Sequence, residues 1–436
     1  MTPRKRVAIT GLGLVTPVGN DVATTWDAVL HGKSGGAGIQ SFDASGFPVH
    51  IAAEVKNFDA LEQIGDRKVL KLTNRSHRFA LAAAEQALRD AGIRPTEADA
   101  TRWGCTLGAG MMGVEFQDLA GTQAHSAADG VLHPDLLLSD GPANDPLAFC
   151  RSNCAEGLSL ITRQHSIRGF ASAEHTACAS GGQALGRALK LIRRGVVDKV
   201  LAGGFDSMIS PVGIAGFCLL SALSPDNDTP QRASRPFDVT RNGFLLGEGA
   251  GFLVLEEWHA ARKRGAHIYA ELAGDGNSLS SYRITDSPPD GDGPIQAMRQ
   301  ALWSAGATPA DIDYLNAHGT STGMNDRSES AAIKAVFGAD VPRLSVSSTK
   351  STMGHLIAAA GAVEVAVCAL AIRDGMMPVN ANLREVDPDC DLNFVRDTPR
   401  RQRVRMALSN SFGFGGSNSC IALRHPDETD ALVGVQ

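Results

Sequence analysis

The 436-residue chain is 43% apolar and carries 41 Lys and Arg against 47 Asp and Glu, a formal charge of −6. That length asks for two domains or one large duplicated domain, and the mild acidity gives no electrostatic ground for binding nucleic acid. No window reaches about 18 uninterrupted apolar residues, so no membrane-spanning helix is expected; eight scattered cysteines with no close C-x-x-C pair fit reduced thiols in a cytoplasm, not a disulfide or zinc framework.

The start, MTPRKRVAITGLG, is basic and then apolar. Gly11 and Gly13 break the apolar run at once, so it reads as a first strand and turn rather than a signal peptide. GLGLVTPVG (11–19) fails the dinucleotide fingerprint, because Thr16 stands where a third glycine belongs and Pro17 opposes an immediate helix. A helix is predicted over 75–92 and a strand over 102–108. Residues at about 110–170 are polar and irregular and read as an inserted cap.

AEHTACASGG (173–182) follows. Ala184, Leu185, Ala188, Leu189, Leu191 and Ile192 recur at helical spacing up to Gly195, which places Cys178 near a helix N-terminus. Unpaired N–H groups there favour thiolate over thiol. A small buried filler is the competing reading, since free cysteine is commonly buried. Strands are expected over 200–204, 251–257 and 269–276, and helices over 293–305, 325–337 and 354–373. This alternation implies α/β layering with largely parallel sheets. The strand-turn-helix plan at Cys178 recurs at LSVSSTK followed by STMGHLIAAAGAVEVAVCALAIRDG, a hint of duplication.

Three later turns bear on Cys178. YLNAHGTSTGMND (314–326) delivers His318 to a turn of small residues. SSTKSTMGHLIAAAGAVE (347–364) holds Lys350 and His355, with Glu364 in the following helix. Ends of parallel strands are where α/β folds place active sites. SNSFGFGGSNS (409–419) offers backbone N–H donors beside two phenylalanines, as an oxyanion site requires, or is simply a glycine-rich hairpin. GTSTG (319–323) also fits the G-x-S-x-G nucleophile elbow, which makes Ser321 a rival nucleophile and a serine hydrolase the rival function; no partner acid is marked.

The set TACASG, NAHGTSTGMND, SSTKSTMGH and SNSFGFGG resembles the β-ketoacyl-acyl-carrier-protein synthases, in particular the elongating, type II branch with a Cys-His-His triad. VAITGLGLVTPVGND and the run 213–257 are similar to that branch as well. The resemblance spans nearly the whole chain and is weakest over about 110–170.

The resemblance implies a thiolase fold, with duplicated βα halves packed as five αβαβα layers. The halves would be residues 1–258 and 259–425, with 426–436 as a loose tail. It implies Cys178 as the acyl-accepting nucleophile, and His318 and His355 as the histidines that hold the malonyl thioester and its enolate. Lys350, with Glu364, would hold charge and orientation. Backbone N–H groups of Cys178 and Phe414 would form the oxyanion hole, Phe412 and Phe414 the gate, and Thr320 and Thr322 the pantetheine contacts. The expected partners are acyl carrier protein, which brings its own phosphopantetheine, and a second copy or a related ketosynthase-like subunit. No tightly bound cofactor and no metal are expected. A non-catalytic partner subunit of a ketosynthase heterodimer is the third reading; such chain-length partners lack the cysteine, so Cys178 argues against that role, though not against an active chain paired with one.

Four departures from the family pattern bear on specificity. Met111 and Met112 replace smaller residues of the acyl pocket. GFASAE (169–174) stands where the family has GPN before the cysteine. Ser221 replaces an arginine that meets the carrier, leaving Lys68, Lys71, Arg75 and Arg78 as the candidate basic face. Asn242 replaces a commoner aspartate. These point to specialised polyketide or polyene synthesis as an alternative to housekeeping fatty-acid synthesis.

Overall fold

A computed structural model describes residues 5–110, 113, 115–126, 131, 133, 135, 136, 145 and 147–431. Ten strands join in one sheet: Val7–Val15 (β1), Trp103–Ala109 (β2), Ala171–Glu174 (β3), Lys199–Asp206 (β4), Gly249–Glu257 (β5), Ala270–Leu279 (β6), Tyr314–Asn316 (β7), Ser345–Ser347 (β8), Met406–Phe412 (β9) and Ser417–Arg424 (β10). The five helices that position the site are Arg75–Ala91 (α1), Ser180–Arg193 (α2), Asp292–Ala305 (α3), Gly323–Phe337 (α4) and Ala360–Asp374 (α5).

The sheet order is β8-β7-β9-β10-β6-β1-β5-β4-β2-β3. β1 and β6 meet through two residue pairs only, Ala8 with Glu271 and Ile9 with Ala270. Outward from that seam one side runs β1, β5, β4, β2, β3 and the other β6, β10, β9, β7, β8. On both sides the first two pairings are antiparallel and the next two parallel. The same five-strand unit is therefore built twice.

The repeat extends to helix packing. Gly11 and Gly13 of β1 lie so close to α1 that a Cβ on either would strike the carbonyls of Ala87 or Ala83; Gly274 and Gly276 of β6 stand in the same relation to Ala301 and Ala297 of α3. The glycines that loosely resembled a nucleotide loop thus let a helix sit down on a strand.

α2 and α5 pack on each other and on strands of both half-sheets, α1 covers one outer face, and α3 with α4 covers the other. The result is five layers, αβαβα. α5 explains why it lies in the middle: from Ala360 to Ile372 every residue is buried, and all but Glu364 are apolar or glycine. A helix apolar all round must be covered all round.

The helix expected over 354–373 begins at Ala360 instead. Gly354 (φ 70°) and Ile357 (φ 46°) lie in the left-handed region, which a continuing right-handed helix cannot accommodate. The resulting turn carries His355. The expected cap contains helices Phe116–Ser126, Ala148–Ser152 and Glu156–Gln164. Met111 and Met112 lie outside the described residues.

Candidate active site

Cys178 and His355 lie on matching turns. Ala177 (φ 50°) and Ile357 (φ 46°) each open a short 3-10 turn, Ala177–Ala179 and Ile357–Ala359, that runs straight into α2 or α5. The two helices nearly touch at their first turns: a Cβ on Gly361 would lie 2.7 Å from the backbone N of Gly182. That crossing brings together side chains 177 positions apart, with His355 Nε2 3.0 Å from Cys178 Sγ. The Ile357 N–H donates to His355 Nδ1 at 3.2 Å. Nδ1 is thereby the acceptor, so the ring proton sits on Nε2, facing the sulfur.

His318 completes the group. It follows β7, and its ring stands edge-on to that of His355, with centroids 5.3 Å apart. Its turn is held by Glu329 on α4, whose two oxygens accept the N–H groups of His318 and Gly319 at 2.9 and 2.8 Å. Sequence reasoning missed Glu329. Its signal was an acid on the inward face of an amphipathic helix, beside Ala332 and Ile333. One donor atom from each of Cys178, His318 and His355 lies within 4.8 Å of the others.

Burial sets the resting charges. It is the main cause that pushes the Cys178 thiol up to about 12, against downward pulls from Lys350 and from the N–H groups of Phe414 and Cys178 itself. The expected thiolate is therefore corrected: the helix N-terminus and its N–H groups are outweighed by desolvation, and the resting group is a thiol. Burial, then Lys350, holds both histidines well below their usual value, and His355 adds to this at His318. Both rings are neutral N–H donors near neutral pH. A thiol and two imidazoles are also zinc-type donors, but the nearby Lys350 charge opposes a further cation.

Lys350 opens a short helix behind the triad and is 1% exposed; its Nζ meets Glu364 Oε1 at 2.5 Å. It does not line the cavity in front of the sulfur. That cavity, about 340 Å³, is lined by Cys178, His318, His355, Thr320, Thr322, Phe412 and Phe414, with Leu220, Ser221, Ile284 and Met324 among the others. Phe412 packs on His318 with ring centroids 5.6 Å apart. The Gly-Phe turn is both things expected of it: β9 and β10 form the hairpin, and its tip is a cavity wall.

Other candidates separate. Ser321 is fully buried, its Oγ accepts the Arg235 N–H at 3.0 Å, and it does not line the cavity. A left-handed φ of 69° turns it inward, so the elbow motif here is structural. Lys68 and Lys71 are exposed on Arg67–Lys71. Arg75 instead forms a forked pair with the fully buried Glu248, and Arg78 bonds Thr73 and the Leu70 carbonyl. The Arg75 side chain is still 40% exposed, and Lys71, Arg75 and Arg78 line one surface groove. Asn242 accepts from Ser224 Oγ at 2.8 Å and donates to Asp226 at 3.0 Å; an aspartate there would confront the Asp226 carboxylate.

The chain matches the family described as Beta-ketoacyl synthase, N-terminal domain, over residues 4–261, and its C-terminal domain over 269–384. It is 41% identical over 423 residues to the 3-oxoacyl-(acyl-carrier-protein) synthase 2 of Coxiella burnetii, covering 96% of this chain and 98% of that protein. The corresponding protein of Synechocystis is 39% identical, covering 97% and 98%. Among solved structures, the ishigamide ketosynthase/chain length factor superposes with a TM-score of 0.86 at 36% identity, covering 97% of this chain and 99% of that one. A type II polyketide ketosynthase in complex with its acyl-carrier protein gives 0.84 at 34% identity, with the same coverage.

Proposed function

We propose that this chain, which belongs to the β-ketoacyl synthase family, joins an acyl group carried on Cys178 to a malonyl group on acyl carrier protein, with loss of CO2. The synthesis served is that of fatty acids or type II polyketides. One observation carries the reading: a buried thiol and two neutral imidazoles face a single cavity, with Nε2–H of His355 aimed at the sulfur.

The chemistry follows from the geometry. The Cys178 sulfur attacks the incoming thioester carbonyl, and the carrier's pantetheine leaves as its thiol, taking the cysteine's proton. The N–H groups of Cys178 and Phe414 hold the transient oxyanion. Malonyl thioester then enters. Its carboxylate C–C bond breaks, CO2 departs, and the electron pair becomes an enolate whose oxygen is held by the His318 and His355 N–H groups. The enolate carbon attacks the acyl-cysteine carbonyl. The sulfur leaves as thiolate and takes one proton from solvent, and a β-ketoacyl thioester remains on the carrier.

Lys350, tied to Glu364, keeps the imidazoles neutral without touching substrate. Thr320 and Thr322, whose hydroxyls lie 2.9 Å apart on the cavity wall, offer bonds to the amide-rich phosphopantetheine arm that the carrier supplies. Lys68 and Lys71 give an acidic carrier a basic contact. Edge strand β3 points to a pairing with a second copy or a related subunit. Residues 1–258 and 259–425 are read as the two halves, supported by the repeated strand order. The eight cysteines, all free, fit a cytoplasmic setting.

Mass spectrometry of the protein after incubation with a panel of acyl-carrier thioesters tests this directly. An added acyl mass mapped to Cys178, with one chain length favoured, is expected. An unmodified Cys178 across the panel, or a fluorophosphonate adduct on Ser321, overturns it.

A further inference from the structure

The duplicated fold has a second copy of the nucleophile's turn. His175–Gly195 and His355–Gly375 run in step: Ala177 and Ile357 share the left-handed φ, and Gly195 (φ 68°) and Gly375 (φ 60°) follow the two helices. Cys178 thus corresponds to Ala358. The strand ends that face these turns correspond as well. Phe205-Asp206-Ser207 closes β4 as Phe412-Gly413-Phe414 closes β9.

At the Cys178 turn the facing strand-end residue is glycine, and a Cβ on Gly413 would lie 3.2 Å from the Cys178 N. Nothing protrudes there, and the N–H groups of Cys178 and Phe414 are left to the Cys178 sulfur. At the His355 turn the same place is held by Asp206, 2% exposed. Its Oδ2 accepts the Ala358 N–H at 3.1 Å and its Oδ1 the Ser207 N–H at 2.8 Å. Those are the counterparts of the Cys178 and Phe414 donors.

We infer that Asp206 is a positioning residue for His355: its carboxylate plugs the His355 turn's copy of the oxyanion-binding N–H pair and so locks the turn that aims the imidazole. The lock has a physical task. Ile357 is β-branched and held at φ 46°, a conformation that persists only where its surroundings over-determine it. Its own N–H is fixed on His355 Nδ1, and the next N–H, that of Ala358, is fixed on Asp206. Asp206 is in turn boxed in: a Cβ on Gly110 would strike its carboxylate, and Glu248 bonds Ser207 Oγ at 2.6 Å.

The role of His355 rests on the condensation reading; the occupancy of the N–H pair does not, and the test separates them. Asp206→Gly places at this strand end the residue type of its counterpart, Gly413. Its condensation kcat should fall about 10- to 100-fold, the cost of a misplaced catalytic group, with KM for malonyl carrier unchanged. Sodium formate, but not sodium chloride at equal ionic strength, should raise its Tm saturably and restore part of the rate, while leaving wild type unaffected. Asp206→Asn keeps the volume but turns an N–H donor toward one of the two N–H groups; its kcat should also fall, without a formate response. A formate-insensitive Tm in a folded Asp206→Gly protein overturns the plugged pair whatever the reaction proves to be. Wild-type kcat in either variant overturns the positioning role, and Asp206→Asn decides it alone where the glycine variant fails to fold.

Discussion

In the proposed reaction Cys178, His318 and His355 would divide the labour through their protonation. Each imidazole is neutral at rest because burial and the Lys350 charge both disfavour imidazolium. A donor that is already neutral needs no proton from solvent to polarise the enolate oxygen. Removing one buried donor of this kind costs roughly 3 to 4 kcal/mol, so His318→Ala and His355→Ala should each slow malonyl decarboxylation by about two to three orders of magnitude. The sign of the pH effect follows from the same shifts. With both folded values well below 6.5, the wild-type decarboxylation rate should stay flat as pH falls from 8 through 6.5. Stopped assays of CO2 release read both quantities; near-wild-type rates in the variants, or a rate that drops as pH passes 6.5, contradict the assignment.

At the level of elements, the site exists because α2 and α5 cross at glycine. The close approach of Gly361 to Gly182, and to Ser411 Oγ at 2.8 Å from a Cβ placed there, sets the distance between the Cys178 and His355 turns. Gly361→Val should therefore act twice. Overpacking a tight core contact costs about 1 to 3 kcal/mol, lowering the urea midpoint, and parting the helices lengthens the 3.0 Å thiol–imidazole contact. Condensation should fall by more than the loss of folded protein explains. A variant with a lowered midpoint but wild-type kcat per folded molecule would show that the crossing serves stability alone. The turns were only half legible in the chain. Helical periodicity announced α5 but ran it back to residue 354, because periodicity registers apolar spacing and not the left-handed residues at Gly354 and Ile357 that delay the helix and free His355.

Over the whole molecule, buried titratable groups pull stability in opposite directions as pH falls. His77 and His165 are held at about 4, mainly by burial, and His318 and His355 lie well below their usual value. The unfolded chain binds protons at these sites near pH 6.5 and the folded one does not, so acidification costs stability. Asp206, Glu329 and Glu364 are raised to about 7, again chiefly by burial. There the folded state binds the proton first, and stability rises as pH falls from about 7 toward the usual carboxylate range. A difference measurement isolates one term. Between pH 7 and 5.5 the wild type should lose about 1 kcal/mol more stability than His165→Gln, by urea denaturation at the two pH values. Equal losses would show that His165 is protonated in the folded protein.

The order of residues along the chain was enough to list the chemistry on offer, and the family resemblance to assign its roles. Cysteine, two histidines, a lysine and a glycine-rich turn each announced themselves by residue type beside a strand-to-helix turn, because reactive groups need small neighbours and open backbone donors. The repeated strand-turn-helix plan was legible as well. What the tertiary structure alone decided was which of these groups meet, and in which charge state. Cys178 and His355 are neighbours because two helices cross at glycines 179 positions apart in sequence, and the thiol is neutral because folding buries it. The pairing of Arg75 is of the same kind: its partner, Glu248, lies 173 positions away and is brought to it only by folding. Asp206 carried no motif at all. Its place opposite Ala358 follows from the two-fold repeat of the sheet, a relation between strands that no local stretch of sequence contains.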